Sequence, residues 1–280
     1  MYPMRAAHMG GPERRMKDGT LFASKDIIPA HTFQNRYDAL QERFSEVYEQ
    51  GQIPLVKEHT LTAMSATVVN KYFPNLLNDT KAVIVNETRS SSSSNTNVPN
   101  PMVLPHSFLA NLTPILTIRH PIRMISSAVG IMFRSYGCGF DEPGVDLTRT
   151  YKWSRILYDY FRAIGITPIV IDGDELARHT EDQMNKLCSL VGLDGSKIQY
   201  SWEPKASYAT VDERMREEVY LKAAYESTGV IRDKEKLRPP ALDEEQKKWA
   251  DEWGDEVARK LTVFVEEAME DYNYLLRVSL

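Results

Sequence analysis

The chain has 280 residues, 34 Lys and Arg against 39 Asp and Glu, a formal net charge of −5 and 42% hydrophobic residues. Its length fits one large or two small domains, and its composition is globular, which excludes a disordered, collagen-like or coiled-coil chain as a global description. The acidic balance argues against a general nucleic-acid binder, no apolar run reaches the ~18 residues that would span a membrane, and Met1–Arg15 carries charge without the apolar centre of a secretory signal. The two cysteines, Cys138 and Cys188, lie too far apart to suggest a disulfide framework or a zinc site, so a reducing, cytoplasmic setting is expected.

Residues 1–32 show no periodicity and read as a poorly ordered arm. From Phe33 the pattern changes: Tyr37, Leu40, Phe44 and Tyr48 recur at spacings of three and four, the stripe of an amphipathic helix that Gly51 stops. Ile53-Pro54-Leu55-Val56-Lys57 reads as a short buried strand. Thr60–Phe73 reads as a helix ended by Pro74, and Lys81–Val85 as a further extended segment. Residues 87–105, with five consecutive serines and three prolines, read as a flexible loop. Pro114–Ile118 is the clearest strand and runs into Arg119-His120-Pro121 and a helix over Ile122–Arg134. A loop at Gly137–Gly139 is followed by a helix over Tyr151–Ile164. Thr167–Ile171 then reads as a strand, Asp172–Glu175 as a turn, and Glu181–Val191 as a helix closed by Gly192. Val211–Glu226 and Asp243–Leu276 read as helices.

Apolar strands alternating with helices predict an α/β fold: a three-layer parallel sheet flanked by helices, with a helical C-terminal extension over 211–276. The expected organisation is the arm at 1–32 and a single α/β domain over 33–280. Ligands in such folds bind beyond the carboxyl ends of the strands, which directs the search to two clusters. In Lys57-Glu58-His59, strand alternation places the ammonium and the imidazole on one side. An imidazole can take a proton from an attacking hydroxyl, and an ammonium can stabilise charge on a transferred group. In isolation the tripeptide reads more readily as a solvated lysine beside a turn histidine. In Arg119-His120-Pro121, proline suits a first helical turn, which puts Arg119 beside the helix N-terminus as an anion clamp, with Ser127 two turns along. Its bland counterpart is an arginine paired with a surface carboxylate. His120 reads as structural, His106 and His179 as solvated. Asp172, Asp174 and Glu175 read as a helix cap rather than a metal site, so no metal is expected.

Taken together, the two clusters resemble the sulfotransferase family, within the P-loop superfamily, which moves a sulfuryl group from 3′-phosphoadenosine 5′-phosphosulfate (PAPS) to a hydroxyl or amine. Lys57 and His59 match that family's Lys-x-His strand end. Arg119, Pro121 and Ser127 match its Arg-x-Pro segment and following serine. The similarity runs from about Gln52 to about Leu193 and looks closest to fungal sulfotransferase-like proteins of secondary-metabolite pathways. It implies His59 and Lys57 as catalytic residues, Arg119 and Ser127 as the grip on the 3′-phosphate of the co-substrate PAPS, a small-molecule acceptor, and one shared anion cavity. The family's N-terminal phosphate loop has no counterpart between Met1 and Gly51. Three readings therefore stay open: a piece of a longer enzyme, a different transfer or binding task, and an inactive relative that binds a nucleotide or small acid.

Overall fold

The computed structural model describes residues 14–15, 21–23, 33–74, 97–136, 147–204, 226–230, 238 and 240–280. The segments expected at Lys81–Val85, at Ser90–Ser94 and at Gly137–Gly139 lie outside these residues, as does the helix expected from Val211 except for Glu226. In chain order the elements are β1 (Arg14–Arg15), β2 (Leu21–Ala23), α1 (Phe33–Glu49), α2 (Thr60–Ala63), α3 (Ala66–Tyr72), α4 (His106–Leu109), β3 (Ile115–Ile118), α5 (Pro121–Tyr136), α6 (Lys152–Ala163), β4 (Ile169–Asp172), α7 (Gly173–Arg178), α8 (Thr180–Val191), α9 (Leu242–Trp253) and α10 (Asp255–Leu276). The chain divides into two units, Met1–Leu112 with Trp153–Pro168, and Thr113–Lys152 with Ile169–Leu280. This mix of helices and a parallel strand pair is compatible with an α/β fold.

In the first unit, β1 and β2 pair antiparallel, a short ribbon within the segment expected to be a poorly ordered arm. The apolar stripe of α1 buries Tyr37, whose ring meets Phe108 edge-on at 5.4 Å, and Phe44 reaches the same ring at 5.7 Å. Gly51 ends the helix at φ 69°, a left-handed conformation that glycine reaches without steric cost.

The strand expected at Ile53–Lys57 does not form. Residues 52–59 join no ladder, and Ile53 and Leu55 are 70% and 86% exposed. Pro54 has no N–H to give a neighbouring strand, and among the described residues no element covers this apolar run. The expected Thr60–Phe73 helix is two helices. Ser65 leaves the helical conformation, and its hydroxyl accepts from Val68 N as the cap of α3.

Residues 97–105, the end of the loop expected to be flexible, are held in place. Ser65 N donates to Pro101 O at 2.8 Å and Val103 N to Ala63 O at 2.9 Å, with Val103 and Leu104 buried. Tyr72 and Phe73 pack on Trp153, which is 2% exposed.

In the second unit, β3 and β4 run parallel in register, Ile115 opposite Ile169 through Ile118 opposite Asp172. Ser279 adds a parallel bridge to Val170, and Leu280 N donates to Val170 O at 3.0 Å. Among the described residues the parallel sheet is this pair with its bridge. Pro121 opens α5, as its missing N–H favours.

Of the helices expected as a C-terminal extension, the segment Asp243–Leu276 contributes to the core. Ile122, Ile125 and Val129 of α5 pack with Trp249 of α9 and with Ala258, Leu261, Val265 and Ala268 of α10. Gly254, at φ 90°, breaks the expected single helix into α9 and α10.

Candidate functional site

In register, the ends of β3 and β4 put Ile118 opposite Asp172, so Arg119-His120-Pro121 and Gly173-Asp174 leave the sheet side by side. That is where parallel α/β sheets carry ligands. Asp172 is fully engaged in structure. Its Oδ1 accepts from Asp174 N at 2.7 Å and Glu175 N at 3.1 Å, capping α7, while Oδ2 accepts from Tyr272 Oη at 2.8 Å. Burial, reinforced by this bond to a carboxylate, pushes the Tyr272 pKa well above the ordinary phenol range, so the hydroxyl stays protonated and keeps donating.

Arg119 is held at two points. Its backbone N donates to Tyr151 Oη at 2.8 Å, and Tyr151 Oη donates back to Arg119 O at 2.6 Å. Burial pushes the Tyr151 pKa strongly upward, against the pull of the bond to the Arg119 backbone, which preserves the hydroxyl proton that this pairing needs. The Arg119 side chain is 46% exposed, and its Nε lies 3.6 Å from Asp174 Oδ1.

The same Oδ1 accepts from Arg123 Nη1 at 3.0 Å, while Arg123 Nη2 donates to the carbonyl of Arg238. Arg238 in turn pairs with Glu244 at 2.5 Å. Two guanidinium groups, those of Arg119 and Arg123, thus gather near one strand end around a single buried carboxylate, Asp174. Arginine suits such a place because its planar fork matches phosphate and sulfate oxygens and its charge is permanent.

His120 is structural here: its Nδ1 accepts from Ile122 N at 3.3 Å at the start of α5, and its ring packs on Tyr272 with centroids 5.5 Å apart. Burial lowers its pKa below the ordinary imidazole value, with Arg123 acting in the same direction and Asp174 and Asp172 opposing.

Ser126 and Ser127 part ways on α5. Ser126 Oγ turns inward, donating to Ile122 O at 2.7 Å and accepting from Trp249 Nε1 at 3.2 Å. Ser127 is exposed on the helix surface.

In the first unit, Lys57 and His59 lie on an exposed loop rather than at a strand end, yet they face the same side, with Lys57 Nζ 3.2 Å from His59 Nε2. With the ammonium as donor, Nε2 is the accepting nitrogen. Glu58 Oε1 accepts from His59 N at 2.8 Å and from Thr62 Oγ1 at 2.5 Å, which fixes the turn into α2. His106, expected to be solvated, meets Tyr160 Oη at 2.7 Å, and burial pushes the Tyr160 phenol up to about 12.

The second unit's arrangement contains groups that the sequence reading missed: Arg123, Tyr151, Tyr272 and the pairing role of Asp174. Arg123 lies in the first turn of α5, the helix that follows Arg119, and a cation at that place could have flagged it. The tyrosines carry no such local signal.

Against known proteins, the chain is 28% identical over 259 residues to a sulfotransferase ppzF of Metarhizium majus, covering 87% of this chain and 74% of that protein. It is 26% identical over 259 residues, with the same coverage, to a sulfotransferase ppzF of Metarhizium rileyi. No family model and no solved structure matches it. These likenesses support a sulfotransferase-like assignment and extend beyond the half of the chain covered by the sequence motifs.

Proposed function

We propose that the chain is a sulfotransferase that transfers a sulfuryl group from PAPS to a hydroxyl of a small molecule in secondary-metabolite chemistry. The observation that carries the reading is Arg119, set at the carboxyl end of a parallel strand with its guanidinium exposed and anchored through Nε. The kinship with proteins named sulfotransferases supports it. Arg119, with the hydroxyl of Ser127, serves to grip the 3′-phosphate. Released from the Lys57 ammonium, His59 Nε2 receives the acceptor's hydroxyl proton as the acceptor oxygen bonds to sulfur. The bond from sulfur to the bridging oxygen breaks, and the Lys57 ammonium stabilises the charge left on that oxygen. Adenosine 3′,5′-bisphosphate and the sulfated acceptor are the products.

Sulfuryl transfer, like phosphoryl transfer, depends mainly on positioning and charge stabilisation. The test is incubation with labelled PAPS and a panel of phenols and alcohols. The wild-type chain should transfer label, and His59→Ala should lower the rate by roughly 10²–10⁴-fold, the usual contribution of a general base. Equal background turnover in both would overturn the reading. Thermal stabilisation by adenosine 3′,5′-bisphosphate with no transfer would favour a nucleotide-binding relative instead.

A further inference from the structure

We infer that Tyr151 and Asp174 are positioning residues for Arg119, clamping its backbone and its guanidinium so that the remaining guanidinium nitrogens form a preset fork for a phosphate. The inference rests on the function proposed above and adds two residues outside the Lys-x-His and Arg-x-Pro segments. The clamp has two independent parts. Tyr151 Oη closes a two-way hydrogen bond with the N–H and C=O of Arg119, at 2.8 and 2.6 Å. This fixes the peptide where the chain leaves β3. Asp174, whose side chain is only 9% exposed, takes the Nε side of the guanidinium at 3.6 Å.

Asp174 cannot drift, because its own N–H is bound by Asp172 Oδ1 and its carboxylate by the nearly buried Arg123 at 3.0 Å. Among the described residues, Asp174 is the one carboxylate paired with Arg119. An unrestrained arginine loses considerable rotamer freedom when it grips an anion. Holding the backbone and Nε in advance reduces that loss, at the cost of a negative charge close to the anion.

That cost makes the experiment decisive in sign. Were Asp174 only a counter-charge, Asp174→Asn would raise the local positive potential and tighten anion binding, most strongly at low salt. As a positioning residue, it should weaken binding when replaced. Calorimetric titration of the full chain with adenosine 3′,5′-bisphosphate provides the readout, with thermal unfolding of each variant measured in parallel.

Arg119→Ala should weaken binding by roughly 10–100-fold, the value of a charge-assisted bond. Tyr151→Phe keeps the ring and should weaken it by about 10-fold, and Asp174→Asn by a smaller factor in the same direction. In an Arg119→Ala background, Tyr151→Phe should have no further effect and Asp174→Asn should no longer weaken binding, a coupling that a merely structural role would not produce. Tighter binding by Asp174→Asn, or full additivity of Tyr151→Phe with Arg119→Ala, would overturn the clamp while leaving the sulfotransferase reading intact. Absence of binding by the wild-type chain, or wild-type affinity in Arg119→Ala, would overturn both.

Discussion

Two apolar runs, Ile53–Val56 and Ile115–Ile118, look alike on paper, and each is followed by a cationic group and a histidine. In the folded chain they differ in kind. Ile118 is 2% exposed in a parallel ladder, while Leu55 is 86% exposed on a loop. The groups that follow differ in the same way. Among the described residues, Lys57, Glu58, His59 and Thr62 bond to one another within a stretch of six residues. Arg119 is arranged by Tyr151, 32 residues away, and by the Asp174 carboxylate, which Arg123 shares across 51 residues. A short local network can place two side chains face to face without a strand beneath them. A guanidinium set at a strand end needs partners brought from distant segments.

The comparison is sharpest under one substitution made twice. Ile118→Ala removes buried methyl groups from a covered strand and should cost about 2–5 kcal/mol of unfolding free energy. Leu55→Ala should stay within about 0.5 kcal/mol. Denaturant titration of both variants checks this, and a large loss at Leu55 would mean that the 52–59 run is covered after all.

The two helix caps extend the contrast at smaller scale. Asp172 accepts from two backbone N–H groups and from Tyr272, so Asp172→Ala should cost about 2 kcal/mol, the upper end for a cap, with the Tyr272 hydroxyl left unpaired. Ser65 accepts from Val68 N at 3.4 Å, and Ser65→Ala should cost about 0.5 kcal/mol. Matched chemical denaturation of the pair reports the order, and a larger loss at Ser65 would reverse the assignment of which region depends on its cap.

The smallest effect is in pH. The folded-state pKa of His120 is lowered, chiefly by burial, so the unfolded chain binds its proton first as pH falls. The stability that neutral His120 contributes is therefore present above the unfolded value of about 6.5 and lost as pH drops from there toward the folded value. His120→Asn should flatten the unfolding midpoint between about pH 7 and 5, relative to wild type. An unchanged slope would show that His120 is not the group responsible.

Much of this molecule is legible from residue order because the responsible interactions are short-range. The three-and-four spacing of Tyr37, Leu40 and Phe44 specifies α1, Gly51 and Gly192 end helices where a left-handed residue is required, and Asp172 announces itself as a cap. Lys57 and His59 meet because they are two residues apart. Burial is a different matter. Nothing within Ile53–Val56 tells whether another segment will cover it, and a branched apolar run fits an exposed loop and a sheet equally well until its neighbours are in place. Likewise Tyr151, Arg123 and Asp174 gather around Arg119 only once β3, β4 and α5 are assembled, since hydrogen bonds and ion pairs between distant residues leave no periodic trace in a chain. Packing decided which apolar run became a strand and which polar groups came to surround the arginine.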